Sequence, residues 1–251
     1  LAIREGLNFV RVEPRVNRND RDLTLDVEFT LTRGERIFVE RIDIEGNTTT
    51  LDRVVRRQFD VVEGDPFNPR AIRQSAERIR ALGFFGNVDV EAREGSSPQQ
   101  VVIDVDVTER PTGSLSFGGS YSSTNGFGAA ISFSERNFLG RGQQLSFAVN
   151  TAESSQRYAF SFVEPSFLAR DSAFGINLSY TETNNLGSDI DTTLGTFSPS
   201  LTFPVSENGR VQVRYTLDYS DITVNDTGSV GAVITNEAAL GERYDSSLGF
   251  S

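Results

Sequence analysis

Asp104 and Asp106 stand two residues apart, the spacing of a candidate catalytic carboxylate pair, and Asp189 and Asp191 repeat it. Asp104 and Asp106 alternate with Ile103, Val105 and Val107, which puts both on the wet face of a strand. Asp189 and Asp191 offer a cation two carboxylates in a loop, too little to define a metal motif. Gly126-Phe127-Gly128 lacks the continuation and β-α context of a phosphate loop. The 251 residues include no Cys and no His, which removes thiolate chemistry, the usual general base and the commonest metal ligand. No nucleophile–base arrangement remains, so the reading is a protein that is not an enzyme and needs neither cofactor nor metal. A net charge of -11 argues against nucleic-acid binding.

The residues with most to offer are those of the second half, where alternation is cleanest over Val211–Tyr219. Val211, Val213, Tyr215, Leu217 and Tyr219 face one way; Gln212, Arg214, Thr216 and Asp218 face the other. Arg214 and Asp218 are placed to pair with neighbours on that polar side. The polar face of this half carries Ser, Thr, Asn and Gln rather than Lys and Glu, and the apolar face is rich in Phe and Tyr. That is the pattern of strands with lipid on one side and a wet lumen on the other. No stretch approaches the roughly 18 apolar residues of a membrane helix, whereas barrel spans need only about 9–11 residues.

The pattern predicts strands over roughly 113–122, 127–137, 143–151, 156–164, 173–182, 194–203, 210–220 and 245–251. The lipid-facing set includes Phe133, Phe147, Phe160, Phe162, Ile176, Leu178, Val213, Tyr215 and Leu217. Turns at Leu139-Gly140-Arg141-Gly142, Phe167 to Asp171 and Ser206-Glu207-Asn208-Gly209 are short, and Asn125-Gly126 is a tight hairpin at the other rim. The loops from Asn184 to Asp191 and from Thr223 to Tyr244 are long and polar. Outer-membrane barrels show this asymmetry, short turns lying on the periplasmic side. A truncated larger barrel is the first reading and a closed eight-stranded barrel the second.

The first half has a different grammar, dense in Arg, Asp and Glu, with a boundary at Arg110-Pro111-Thr112. It contains a repeat: residues 10–15 match 88–93 and residues 25–30 match 103–108, both offset by 78 (88 − 10 = 103 − 25). Residues 1–33 therefore read as the tail of one module and 35–110 as a complete copy. In that copy Phe38 to Ile44 is a strand, and Thr49 or Thr50 caps a helix whose stripe is Leu51, Val54, Val55 and Phe59. Asn68 caps a second helix with Pro69 at its first position, a stripe of Ile72, Ala76, Ile79 and Leu82, and Gly83 at its end. Two strands follow, giving β-α-α-β-β, an α+β module.

Residues 35–110 resemble a POTRA domain, through Ile42-Asp43-Ile44-Glu45-Gly46-Asn47, Val61-Val62-Glu63-Gly64-Asp65-Pro66-Phe67 and Leu82-Gly83-Phe84-Phe85-Gly86-Asn87-Val88. Residues 111–251 resemble the opening strands of the attached barrel, through Thr112 to Gly118, Glu135 to Gly142 and Glu164-Pro165-Ser166-Phe167. Together they resemble the BamA-type outer-membrane protein assembly factors. The resemblance implies a chain that begins within the penultimate POTRA domain and ends about halfway through a 16-stranded barrel; the lack of an initiating Met agrees with an internal piece. It also implies a bacterial outer-membrane location with periplasmic POTRA domains. The implied partners are unfolded outer-membrane protein clients, accessory periplasmic lipoproteins and outer-membrane lipid. The family's Arg-Gly-Phe lid motif is absent from this stretch.

In that family a loose seam beside the first strand pairs with client strands. The corresponding edge here is Gly113, Ser114, Leu115, Ser116, Phe117, Gly118, Gly119, Ser120 and Tyr121, whose glycines weaken a strand and admit another backbone. Arg56, Arg57 and Arg70 are candidates for partner docking. The competing readings are a two-partner secretion or autotransporter-assembly translocator of the same superfamily, a passive porin-like barrel, and, more remotely, a soluble all-β hydrolase.

Overall fold

The structure, a computed structural model, describes residues 10–19, 24–33, 36–123, 126–184, 189–206, 209–226 and 230–251. The start of the leading segment (1–9), Asn125 of the tight hairpin, Glu207-Asn208 of a short turn, and parts of both long loops (185–188 and 227–229) lie outside the described residues. The chain divides into two compact units, Leu1–Arg110 and Pro111–Ser251.

The first unit opens with an antiparallel hairpin of β1 (Val10–Asn19) and β2 (Thr24–Arg33). A complete α+β module follows: β3 (Phe38–Glu45), α1 (Asp52–Arg56), α2 (Pro69–Leu82), β4 (Phe85–Glu94) and β5 (Gln100–Glu109). Its sheet order is β3-β5-β4, with β5 parallel to β3 and antiparallel to β4. The helices pack on one face through Val54, Val55, Ile72 and Ile79 against Ile42, Ile103 and Val105. Each such side chain contributes about 1.5–3 kcal/mol by leaving water. Asn68 caps α2, its Oδ1 accepting from Arg70 N at 3.0 Å and Ala71 N at 3.4 Å, and Gly83 ends it at φ 71°.

Two expectations are corrected here. The N-cap of α1 is Leu51, with no side-chain cap, rather than Thr49 or Thr50. The amides of both threonines donate instead to the Glu109 carboxylate at the far end of β5. A charged acceptor with two oxygens satisfies more donors than one hydroxyl can. Leu51, at 39% exposure, consequently stands outside the buried stripe.

The hairpin departs from the module it echoes. The offset of 78 maps Val12 onto Val90 and Val27 onto Val105, and Val90 pairs with Val105. Val12, however, pairs with Leu31, a slide of four residues (31 − 27). Side chains alternate with period two, so an even slide leaves the apolar face intact.

The second unit is one antiparallel sheet of β6 (Gly113–Ser122), β7 (Gly126–Phe138), β8 (Gln143–Ala152), β9 (Ser155–Glu164), β10 (Ala173–Asn184), β11 (Ile190–Ser206), β12 (Gly209–Val224) and β13 (Arg243–Phe250). Each strand pairs with its sequence neighbour. Among the described residues β6 and β13 are the two edges and do not pair with each other, so the eight-stranded closed barrel is set aside in favour of an incomplete larger one. β11 and β12 run 17 and 16 residues, longer than expected. A short helix, α3 (Ala232–Ala238), sits in the long loop before β13 where only loop was expected, and the Glu237 carboxylate on it accepts from the Arg243 guanidinium.

Candidate strand-pairing edge and membrane-facing surface

Residues 113–121 of β6 are exposed throughout, and among the described residues β6 pairs with β7 alone. The pairing is uneven along its length. Leu115 faces Phe133 and Phe117 faces Ile131; then come Gly118 opposite Ala130 and Gly119 opposite Ala129. A Cβ on Gly118 would meet nothing nearer than the Ala130 Cβ at 3.8 Å, so no crowding demands glycine there. Beyond this thin stretch, the Tyr121 and Phe127 rings meet with centroids 4.8 Å apart.

The start of the strand is held differently. The Glu135 carboxylate accepts from the Thr112 hydroxyl and, at 2.8 Å, from the Asn137 amide. Its Oε2 lies 2.7 Å from where a Cβ on Gly113 would sit, so this glycine leaves room for the carboxylate. The first strand is thus fastened by side chains at Thr112–Gly113, whereas at Gly118–Gly119 its pairing with β7 is continuous but carries no side-chain bulk.

The outward residues line up across strands. One row runs Leu115, Phe133, Phe147, Phe160, Leu178, Phe197, Leu217, each directly opposite the next. Phe162 faces Ile176, and Val213 and Tyr215 sit on the same side of β12 as Leu217. A second row runs Tyr158, Tyr180, Gly195, Tyr219, Tyr244. The Tyr219 Cβ lies 3.5 Å from where a Cβ on Gly195 would stand, so the ring covers the gap in the row. Aromatic rows of this kind mark the interfacial girdles of membrane barrels. Among the described residues every buried hydrophobic side chain lies between Val39 and Val107, so the described part of this sheet has no dry core of its own. Its opposite face carries small side chains such as Ser132, Ser146, Ala148, Ala159, Ser161 and Asn177, and a hollow of about 300 Å³ there is also bordered by Phe133, Phe147, Phe160 and Leu178. There Asp218 accepts from the Thr196 hydroxyl at 2.7 Å and Arg214 donates to Gln212 at 3.1 Å, so these two charges bond neighbours rather than each other.

In the POTRA-like module, Arg56 is engaged within its own unit. It donates to Asp52, Glu63 and the Ile42 carbonyl. Arg57 and Arg70 lie exposed at the end of α1 and in the first turn of α2. The outer edge of β3 is occupied. Gly64 N donates to the Val39 carbonyl, Val39 N to the Asp65 carbonyl, and Ile42 N to Glu63. Among the described residues the other edge, β4, pairs only with β5, and Arg80 donates to its Val88 carbonyl at 2.7 Å. Asp104 binds Arg93, which also reaches Asp43 at 3.2 Å. Asp189 and Asp191 brace the rim through Asn225, at 2.7 Å and 2.9 Å.

Comparison with known proteins places this arrangement. The Omp85 superfamily domain matches residues 137–251, and the POTRA family model, described as a surface antigen variable number repeat, matches residues 37–110. The outer membrane protein assembly factor BamA of Nitratidesulfovibrio vulgaris is 28% identical over 213 residues, covering 85% of this chain and 27% of the relative. BamA of Neisseria meningitidis serogroup B is 30% identical over 172 residues, covering 68% of this chain and 21% of the relative. The chain therefore spans about a quarter of the length of these curated relatives. The crystal structure of Haemophilus ducreyi BamA lacking POTRA domains 1-3 superposes with a TM-score of 0.71 at 24% identity, over 96% of this chain and 47% of that one.

A POTRA domain followed by antiparallel barrel strands defines a bacterial outer-membrane protein with its POTRA domain in the periplasm. The chain belongs to the Omp85 superfamily and is of the BamA type.

Proposed function

We propose that the protein containing this chain assembles and inserts outer-membrane β-barrel proteins, and that residues 113–121 are the edge on which client strands are templated. In this reading residues 1–33 close a preceding POTRA domain, 35–110 form a whole one, and 111–251 open the barrel. The observation that carries it is the uneven hold on β6, fastened at Thr112–Gly113 and thin at Gly118–Gly119. Inside a membrane an unpaired backbone group costs several kcal/mol, so the outer side of this strand pairs either with a later strand of its own barrel or with a client strand. A partner strand held by few side-chain contacts can be exchanged for another, which lowers the barrier to insertion without any covalent step.

The periplasmic module contributes guidance. With β3 covered by Gly64–Phe67, the β4 edge is the one left to accept extended client peptide. Arg57 and Arg70 are positioned for an accessory lipoprotein, whereas Arg56 serves its own module. The nine outward residues Phe133, Phe147, Phe160, Phe162, Ile176, Leu178, Val213, Tyr215 and Leu217 meet lipid acyl chains.

The chain has no cysteine, so a single cysteine placed at Ser116 or Gly118 is a clean reporter within it. It is expected to crosslink to a barrel client stalled during assembly. Depletion of the full-length protein should lower porin levels in the outer membrane. Crosslinks to one secreted passenger only, with porin levels intact, would favour a secretion translocator. Ion conductance with neither effect would favour a passive barrel.

A further inference from the structure

Two turns at the short-turn rim are built alike. Glu135-Arg136-Asn137-Phe138-Leu139-Gly140-Arg141 is echoed by Glu164-Pro165-Ser166-Phe167-Leu168-Ala169-Arg170 at a constant offset of 29 (164 − 135 = 170 − 141). In both, the leading glutamate accepts from the amide two residues on, Asn137 N at 2.8 Å and Ser166 N at 3.0 Å. In both, the arginine amide closes the turn on the phenylalanine carbonyl at 3.2 Å. The two central residues have positive φ in each case: Leu139 53° and Gly140 68°, Leu168 55° and Ala169 58°. These are type I′ turns, whose centre favours Asn and Gly.

Leucine at the first central position is strained, and it is exposed: Leu139 at 67% and Leu168 at 73%. An apolar side chain that is both strained and wetted, twice, in one pattern, marks a surface that something apolar covers. The turns continue the outward face. Glu135 stands opposite Leu145, Glu164 stands opposite Phe174, and the Phe167 ring lies against Phe174 with centroids 5.1 Å apart. Each turn also presents an exposed arginine two residues after its leucine. Asp171, beside Arg170, is taken by Arg210 at 2.7 Å and does not neutralise that turn.

We propose that these turns are paired phospholipid contacts in the periplasmic leaflet. Leu139 and Leu168 enter the acyl boundary, and Arg141 and Arg170 hold anionic headgroup phosphates. This rests on the reading that the outward barrel face meets lipid. The two turns then fix the height of the short-turn rim against the membrane surface, next to the fastened start of β6.

The chain contains no tryptophan, so Leu139→Trp, Leu168→Trp and a control, Phe160→Trp, each give one emitter in full-length protein cleared of any other tryptophan. The protein is folded into vesicles of phosphatidylcholine with phosphatidylglycerol, with or without brominated acyl chains. Both rim reporters are expected to lose about half their emission to bromine, as rings at the acyl–headgroup boundary do. Co-purified phosphatidylglycerol, read by mass spectrometry, should fall about tenfold when Arg141 and Arg170 both become Glu. The double variant Leu139→Asn with Leu168→Asn suits the turn backbone, so it should fold and still lose lipid. Rim reporters untouched by bromine while Phe160→Trp is quenched overturn this proposal and leave the lipid-facing sheet standing. Shielding of the rim reporters only when a periplasmic protein is added also overturns it, since the turns would then be protein contacts. A control untouched by bromine removes the lipid-facing reading itself.

Discussion

Thr50 and Glu109, 59 residues apart in sequence, meet where the Thr50 amide donates to a Glu109 carboxylate oxygen across 2.6 Å. Thr48 and Thr49 add a hydroxyl and an amide to the same carboxylate. Together they tie the end of β5 to the turn that launches α1.

A pH dependence follows from this pairing. Burial pushes the Glu109 carboxyl up, but the hydrogen bonds from Thr50, Thr48 and Thr49 outweigh it and hold the group at about 2, against an ordinary value of 4.5. A depressed carboxyl contributes its stability above 4.5 and loses it as the pH falls towards 2. With partial solvent access the contribution is about 1–2 kcal/mol. Glu109→Gln should therefore unfold more easily than the parent at neutral pH, with the gap closing as the solution is acidified. Hydrogen exchange at the Thr49 and Thr50 amides reads it directly; a gap independent of pH would refute it.

The two faces of β9 should respond oppositely to charge. Phe160 lies in the middle outward row, and its neighbour Ser161, paired with Ser146, stands on the opposite face by strand alternation. Phe160→Arg is expected to cost about 2–4 kcal/mol in vesicle-folded protein, and Ser161→Arg little. Urea unfolding in lipid measures both. Equal costs would mean that the faces do not differ in solvent.

Two glycines of β6 should differ in sign. An alanine at Gly113 pushes on the Glu135 carboxylate at 2.7 Å and displaces it from Thr112 and Asn137. An alanine at Gly118 meets only ordinary contact at 3.8 Å and stiffens the strand. Gly113→Ala should speed hydrogen exchange over the first residues of β6. Gly118→Ala should slow it in the middle by the equivalent of about 0.5–1 kcal/mol, and reduce client crosslinking.

The periplasmic module has a core that a single truncation should unseat. Ile79 and Ile103 are fully enclosed between α2 and β5. Ile79→Ala or Ile103→Ala is expected to lower its stability by about 2–5 kcal/mol in chemical denaturation, with the barrel transition unchanged.

The barrel strands were legible because the alternation of Phe and Tyr with Ser and Thr recurs in segment after segment between Gly113 and Phe203 and again over Val211–Tyr219. The outer end of β11 was not, because Asp191, Thr192 and Thr193 in succession are polar on both faces. Pattern fails once both sides of a strand stand in water. Helix α3 was missed because seven residues without a side-chain cap leave almost no periodicity, and it is held from outside by Arg243. The glycines of the first strand were visible, but the hold of Glu135 on Thr112 depends on register, which no local window contains. The same holds for the tyrosine row, whose four tyrosines lie on four strands. For Thr49 and Thr50 the local capping rule lost to a carboxylate supplied from a distant strand.

The four-residue slide between the leading hairpin and the copy it echoes carries a consequence for how such tandem units diverge. Drift between copies comes in even steps, because any odd step would turn the oily side outward. Insertions and deletions in these ribbons should therefore accumulate in twos, leaving each copy free to change its reach without changing its inside.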